Sequence, residues 1–241
     1  MIRRALPLLL LGTPAGAQLA PNDLARAKAV PVAGTQLPAK LEFRDAADGR
    51  VRRLGEVVGG RAAVVVFADF TCRHICGPGL ALTGAALKRT GMKPGSYALV
   101  VIGLDPKDDA ASARAVLART PGATVLSGDA VAAAARRLGY GYVYDATSDQ
   151  FAHDASLYVF GANGKLTTVL PELGVTPAAL MAALAGRPEP EGMVARVARV
   201  CYGFAAAHGR YGGAIVAGLQ LASAALLIAG GTWFLTRGRA A

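Results

Sequence analysis

The chain has 241 residues, 53% of them hydrophobic, and a formal charge of +10. Its length accommodates one core of about 150 residues plus accessory segments, and the apolar share, above the usual range, points to a membrane segment. The basic residues are scattered, with no Arg/Lys run interleaved with aromatics, which excludes a nucleic-acid binder.

Met1-Ile2-Arg3-Arg4 is a short basic start. An apolar stretch follows from Ala5 to Leu11, and Ala15-Gly16-Ala17 has the small-x-small form of a cleavage site. Residues 1–17 read as a secretory signal peptide. Residues 18–40 are Ala/Pro-rich and weakly patterned, a linker.

A domain is expected over 41–186. Its first part, residues 41–51, reads as two short strands around Asp48-Gly49. Residues 54–60 lead into Val64-Val65-Val66-Phe67, a β-branched run typical of a buried strand. Cys72 and Cys76 come at once after it. Beyond Gly77-Pro78-Gly79, residues 80–88 read as a helix. Residues 97–104 form a second buried strand, ended by Asp105-Pro106, and 110–118 form a helix. Residues 124–127 are a third strand, and 129–138 an Ala-rich helix with Asp129 as its cap. A polar loop, 145–154, carries His153 near its end. Strands at 157–160 and 166–169 form a hairpin, and Thr176-Pro177 caps and starts a last helix. Strands alternating with helices, then a hairpin and a helix, predict an α/β, thioredoxin-like fold: a mixed sheet flanked by helices.

Residues 187–211 are a juxtamembrane segment. Residues 212–235 are 24 positions without a charge, long enough for a transmembrane helix, with Trp233 near one end. Arginines lie on both sides of this span, so charge does not orient it. The signal peptide does: the domain is expected on the periplasmic face of the cell inner membrane, with the tail 236–241 in the cytoplasm.

A strand that delivers cysteines to a helix start places them where unpaired N–H groups and partial positive charge favour thiolate. If both lie in the first helical turn, the i,i+4 spacing puts their sulfurs on one face. In such a sheet the loop entering the strand after His153 lies beside the cysteine loop. Cys72, Cys76 and His153 would then form a soft three-donor metal site suited to Cu(I), whereas zinc usually takes a fourth ligand. Cys201 is left over, and is read as a buried or membrane-proximal thiol. His74, between the cysteines, is expected to face solvent.

Three pieces in order, Cys72-Arg73-His74-Ile75-Cys76, then Leu104-Asp105-Pro106, then His153-Asp154-Ala155-Ser156-Leu157, resemble the Sco/SenC family of copper-binding assembly factors for cytochrome oxidase. The resemblance runs over about residues 35–185. It implies copper, as Cu(I) or Cu(II), on Cys72, Cys76 and His153, and delivery to the dinuclear site in the oxidase's copper-bearing subunit. The sequence departs from the family pattern at Arg73 and Gly77, where proline is usual, and at Asp154, where Ser or Thr is usual.

Two other functions compete. A membrane-anchored thiol–disulfide oxidoreductase, reducing the cysteines of the oxidase site, needs only Cys72 and Cys76. Thioredoxin-type reductases place a cis-proline opposite their cysteines, and no proline occurs between Pro121 and Pro171; that loop supplies His153 instead. A peroxiredoxin-like peroxidase would have Thr three residues before the first cysteine, where Asp69 stands. Asp105 reads equally as a residue orienting the site and as an ordinary strand terminator.

Overall fold

The computed structural model describes residues 25–32, 34–72, 76–146, 149–187, 220–228 and 230. Among the described residues, nine strands and five helices make up the domain. They are β1 (Glu42–Asp45), β2 (Val51–Arg53), α1 (Leu54–Val58), β3 (Ala62–Ala68), α2 (Cys76–Arg89), β4 (Tyr97–Gly103), α3 (Ala110–Arg119) and β5 (Ala123–Ser127). They continue with α4 (Val131–Leu138), β6 (Tyr142–Asp145), β7 (Gln150–His153), β8 (Ser156–Phe160), β9 (Leu166–Pro171) and α5 (Pro177–Leu184). Seven strands form one sheet in the order β2-β1-β5-β4-β3-β8-β9, and β6 and β7 pair separately. β3 runs parallel to β4, and β4 to β5; the outer neighbours are antiparallel. This is the expected mixed sheet flanked by helices.

The unbroken apolar run of β3 follows from burial on both faces. Val64, Val66 and Ala68 join Leu80, Leu87, Val116 and Leu180 in one core cluster. Ala63, Val65 and Phe67 join Leu54, Leu138 and Tyr158 in another. β3 is thus held by the cores on either side and by ladders to β4 and β8, giving the segment that leads to the cysteines a rigid base.

Two expectations are corrected, at Asp129 and in the loop 145–154, and two open points are filled in, at residues 54–60 and at Cys72. Residues 54–60 begin with a helix, α1: the Glu56 carboxylate accepts the Arg53 N–H, and Gly59 ends it at φ 61°. Asp129 does not cap α4, which starts at Val131 with no side-chain cap; Gly128, at φ 132°, delivers the chain and its carbonyl accepts the Val131 N–H. The polar loop 145–154 is largely a hairpin. Phe151 packs across it against Tyr142 (5.6 Å) and Tyr144 (5.2 Å), cross-strand aromatic pairs that outweigh the polar tip. Finally, only Cys76 lies in the first turn of α2, with Cys72 in the turn before it. Thr176 caps α5 as expected, accepting the Ala179 N–H at 3.2 Å with Pro177 at the helix start.

The stretch expected as a linker is pinned to the domain at points along its described length. Ala29 bridges Tyr140 and Gln36 bridges Lys165, so it forms a strap from the end of α4 to the β8–β9 turn. The signal peptide, nearly all of the juxtamembrane segment with Cys201, and the tail lie outside the described residues. Of the expected span 212–235, residues 220–228 and 230 are described; they are helical and exposed. Among the described residues no helix is long and apolar enough to cross a membrane.

Candidate metal centre

The chain leaves β3 at Ala68 and turns on Asp69. This aspartate is 2% exposed. Its Oδ1 accepts the Thr71 N–H (2.9 Å) and hydroxyl (2.8 Å), and its carbonyl accepts the Cys72 N–H (3.1 Å). Its other oxygen, Oδ2, accepts the Phe151 N–H at 3.0 Å. One carboxylate therefore fixes the turn that presents Cys72 and fastens it to β7, the strand that ends at His153. Cys76 opens α2, where Pro78 in the first turn costs no intrahelical bond. Cys76 is buried and Cys72 half-buried, and no disulfide joins them.

His153 meets the cysteine pair from the opposite loop, its Nε2 lying 3.2 Å from the Cys76 sulfur. Its Nδ1 faces the Tyr140 hydroxyl (2.8 Å) and the Asp154 carbonyl (3.0 Å), while the Tyr140 O–H donates to that same carbonyl (2.7 Å). With the phenol hydrogen given to that carbonyl, Nδ1 is the nitrogen that carries the proton. The Nε2 lone pair then points at the sulfur, the arrangement by which an outer hydrogen bond readies a histidine for a metal. Tyr140 is stacked on Phe67 at 4.4 Å, and burial, then the nearby Asp154 charge, holds its phenol neutral, well above its ordinary range.

Asp154 explains itself in this setting. Its Oδ2 accepts the Ala29 N–H at 3.1 Å, so the side chain ties the strap while its carbonyl holds the histidine. The strap runs so close that a Cβ on Gly139 or Gly141 would run into the carbonyls of Val30 and Arg26. Tyr140 sits between these two glycines.

The neighbouring sulfur and burial set the electrostatics of Cys76. The Cys76 thiol is raised far above the ordinary range, first by its hydrogen bond with the Cys72 sulfur, then by burial and the charge of Cys72. A backbone hydrogen bond at Asp69 pulls the other way and is the smaller effect. Glu172 is 2% exposed, with Oε1 unpartnered among the described residues, and packs against Gly79 in the first turn of α2. Burial, then the charge of Cys72, pushes it up to about 8. Asp105 follows the end of β4, and its carboxylate accepts the Lys107 N–H at 2.8 Å. Asp108, beside Gly103, is pushed up to about 7 by burial and by Asp105 and Asp69.

Of the expected ligands, Cys76 meets both His153 and Cys72. Among the described residues no three His, Cys, Asp or Glu side chains stand ready as a closed metal cage. The donor set itself, two sulfurs and an imidazole nitrogen with a free lone pair, suits a soft cation. His74 lies outside the described residues.

A family model described as SCO1/SenC matches residues 41–187. The chain belongs to the SCO1/SenC family. Solved structures agree on the fold. The ScoI of Arabidopsis thaliana, solved with copper bound, is 16% identical; the match covers 62% of this chain and 97% of that one, with a TM-score of 0.53. The ScoI of Bradyrhizobium japonicum, also with copper bound, is 20% identical over 65% of this chain and 99% of the other, with a TM-score of 0.52. BsSco, described with a disulfide switch and as a member of the Sco family of cytochrome c oxidase assembly proteins, is 19% identical over 66% and 96%, at 0.53. No curated protein matches the chain.

Sequence reasoning missed Tyr140 and Glu172 and assigned Asp69 no positioning role. Tyr140 is an aromatic after a helix-ending glycine, a pattern with no chemical signal; only the fold brings it to His153.

Proposed function

We propose that this SCO1/SenC-family chain is a copper metallochaperone that takes its cargo on the sulfurs of Cys72 and Cys76 and on Nε2 of His153. Its target would be the dinuclear copper site of cytochrome c oxidase, and it would work from the periplasmic face of the inner membrane, anchored through residues 212–235. The observation that carries the reading is the His153–Tyr140–Asp154 chain. It favours the tautomer that leaves Nε2 free to ligate, at 3.2 Å from a cysteine sulfur. A thiol–disulfide oxidoreductase needs only the two cysteines and has no use for a tautomer-locked imidazole beside them.

Loading exchanges protons for cargo. The Cys76 thiol is pushed up by the neighbouring sulfur and burial, so binding releases its proton, and affinity should fall with acidity. The neutral nitrogen is the weakest of the three donors and the one suited to leave first when a partner's ligand enters. Cu(II), harder than Cu(I), should depend on it more.

The test is metal analysis and competition titration of wild type and His153→Ala, with oxidase assembly measured at limiting copper. The variant should lose Cu(II) affinity more than Cu(I) affinity, fail in assembly, and still form the Cys72–Cys76 disulfide. Full oxidase activity in the His153→Ala strain would transfer the function to the oxidoreductase reading.

A further inference from the structure

A cavity of about 180 Å³ opens on the two cysteines. Its walls include Phe70, Leu80 and Val116, and Arg119 supplies a cation at its rim. His153 is not among the described residues that line it, so the cavity reaches the sulfurs from a side the imidazole does not occupy. We propose that it is a binding subsite for a small aliphatic thiol that carries a carboxylate.

Each part of such a ligand has a counterpart. Its sulfur would lie against Cys72 and Cys76, and its short chain against the apolar walls, where burial favours it. Its carboxylate would meet Arg119, exposed in the last turn of α3. The Arg119 Nε donates to the Ala115 carbonyl at 3.1 Å. No carboxylate among the described residues forms an ion pair with the guanidinium. Asp69 also lines the cavity, but both of its oxygens are engaged by Thr71 and Phe151, so the rim, not the floor, accepts an anion.

The subsite does not depend on the metal reading, because exchange at sulfur needs only the cysteines. With Cys72 and Cys76 joined as a disulfide, the ligand's thiolate attacks Cys72, the more exposed sulfur. The Cys72–Cys76 bond breaks, its electron pair leaves on the Cys76 sulfur, and that sulfur takes up a proton. A second thiol then displaces the mixed disulfide. Two small thiols are oxidised to their disulfide and the cysteine pair is reduced.

The experiment uses the full chain, oxidised at Cys72–Cys76, with 3-mercaptopropionate, 2-mercaptoethanol or cysteamine in excess. Freed Cys72 and Cys76 are alkylated and counted by mass spectrometry, and rates are expressed per thiolate. The mercaptocarboxylate should react saturably and about tenfold faster than the neutral thiol, the factor that a charge-assisted contact of about 1.4 kcal/mol supplies. Arg119→Gln should abolish that preference and leave the 2-mercaptoethanol rate unchanged, while Arg119→Lys retains part of it. Equal rates for the three thiols overturn the proposal. So does a preference that persists in Arg119→Gln, which would trace it to the chain's overall positive charge. Neither result touches the copper titrations of His153→Ala.

Discussion

Replacing Tyr140 by Phe removes one oxygen and tests the logic of the site. The ring remains: it can keep its stack on Phe67 at 4.4 Å and its edge contact with Tyr158 at 5.9 Å. What goes is a hydroxyl serving two partners, His153 Nδ1 at 2.8 Å and the Asp154 carbonyl at 2.7 Å. The histidine keeps the Asp154 carbonyl at 3.0 Å as its remaining anchor, and that carbonyl keeps the Nδ1–H. Neither is orphaned, so the stability cost should be that of ordinary hydrogen bonds, about 1–2 kcal/mol for the pair. Losing an outer-shell partner of a metal-bound histidine typically weakens metal binding about 10- to 100-fold. With one anchor retained, the lower end applies: about tenfold weaker copper binding, or about 1.4 kcal/mol. The assay is competition against a copper chelator for wild type, Tyr140→Phe and His153→Ala, with thermal melts in parallel. Tyr140→Phe should fall between the other two. If it binds copper within about twofold of wild type while His153→Ala is weakened, the tautomer-lock reasoning is refuted.

Glu172 makes a pH prediction. Its folded-state pKa, about 8, lies above its ordinary value of 4.5. Between these values the native state holds a proton that the unfolded chain has lost, so stability should fall as pH rises from about 4.5 to about 8. Glu172→Gln should flatten that decline and stabilise the protein at pH 8, read by denaturant melts of the metal-free chain across this range; an unchanged slope would contradict the assignment. For the anchor, a reporter active only in the cytoplasm, fused after Ala241, should be active; a signal there from a reporter that works only in the periplasm would invert the proposed topology.

The strand leading to the cysteines, the helix after them, the hairpin around Asn163-Gly164 and the Thr176 cap were all legible in the sequence. Each depends on residues close together in the chain: a β-branched run, a turn dipeptide, a polar residue before a proline. Cys72, Cys76 and His153 stood out because few residue types offer soft or imidazole donors. Their spacing left open whether both cysteines share one helical turn, and the fold places only Cys76 there. The hairpin β6–β7 was hidden because its polar tip reads as loop, whereas its stability comes from Phe151 packing across the strands onto Tyr142 and Tyr144. The protonation of the site was also beyond the sequence. A helix N-terminus argues for thiolate, whereas the neighbouring sulfur and burial push the Cys76 thiol up, and burial exists only once the core has formed. The same holds for Tyr140 and Asp69. A phenol 13 residues from His153 and a carboxylate 82 residues from Phe151 acquire their roles only when the folded chain brings them within hydrogen-bond distance. Local sequence therefore determined which residues can do the chemistry. Tertiary structure decided which nitrogen is free, which thiol keeps its proton and which side of the sulfurs remains open, because each depends on partners brought together from distant parts of the chain.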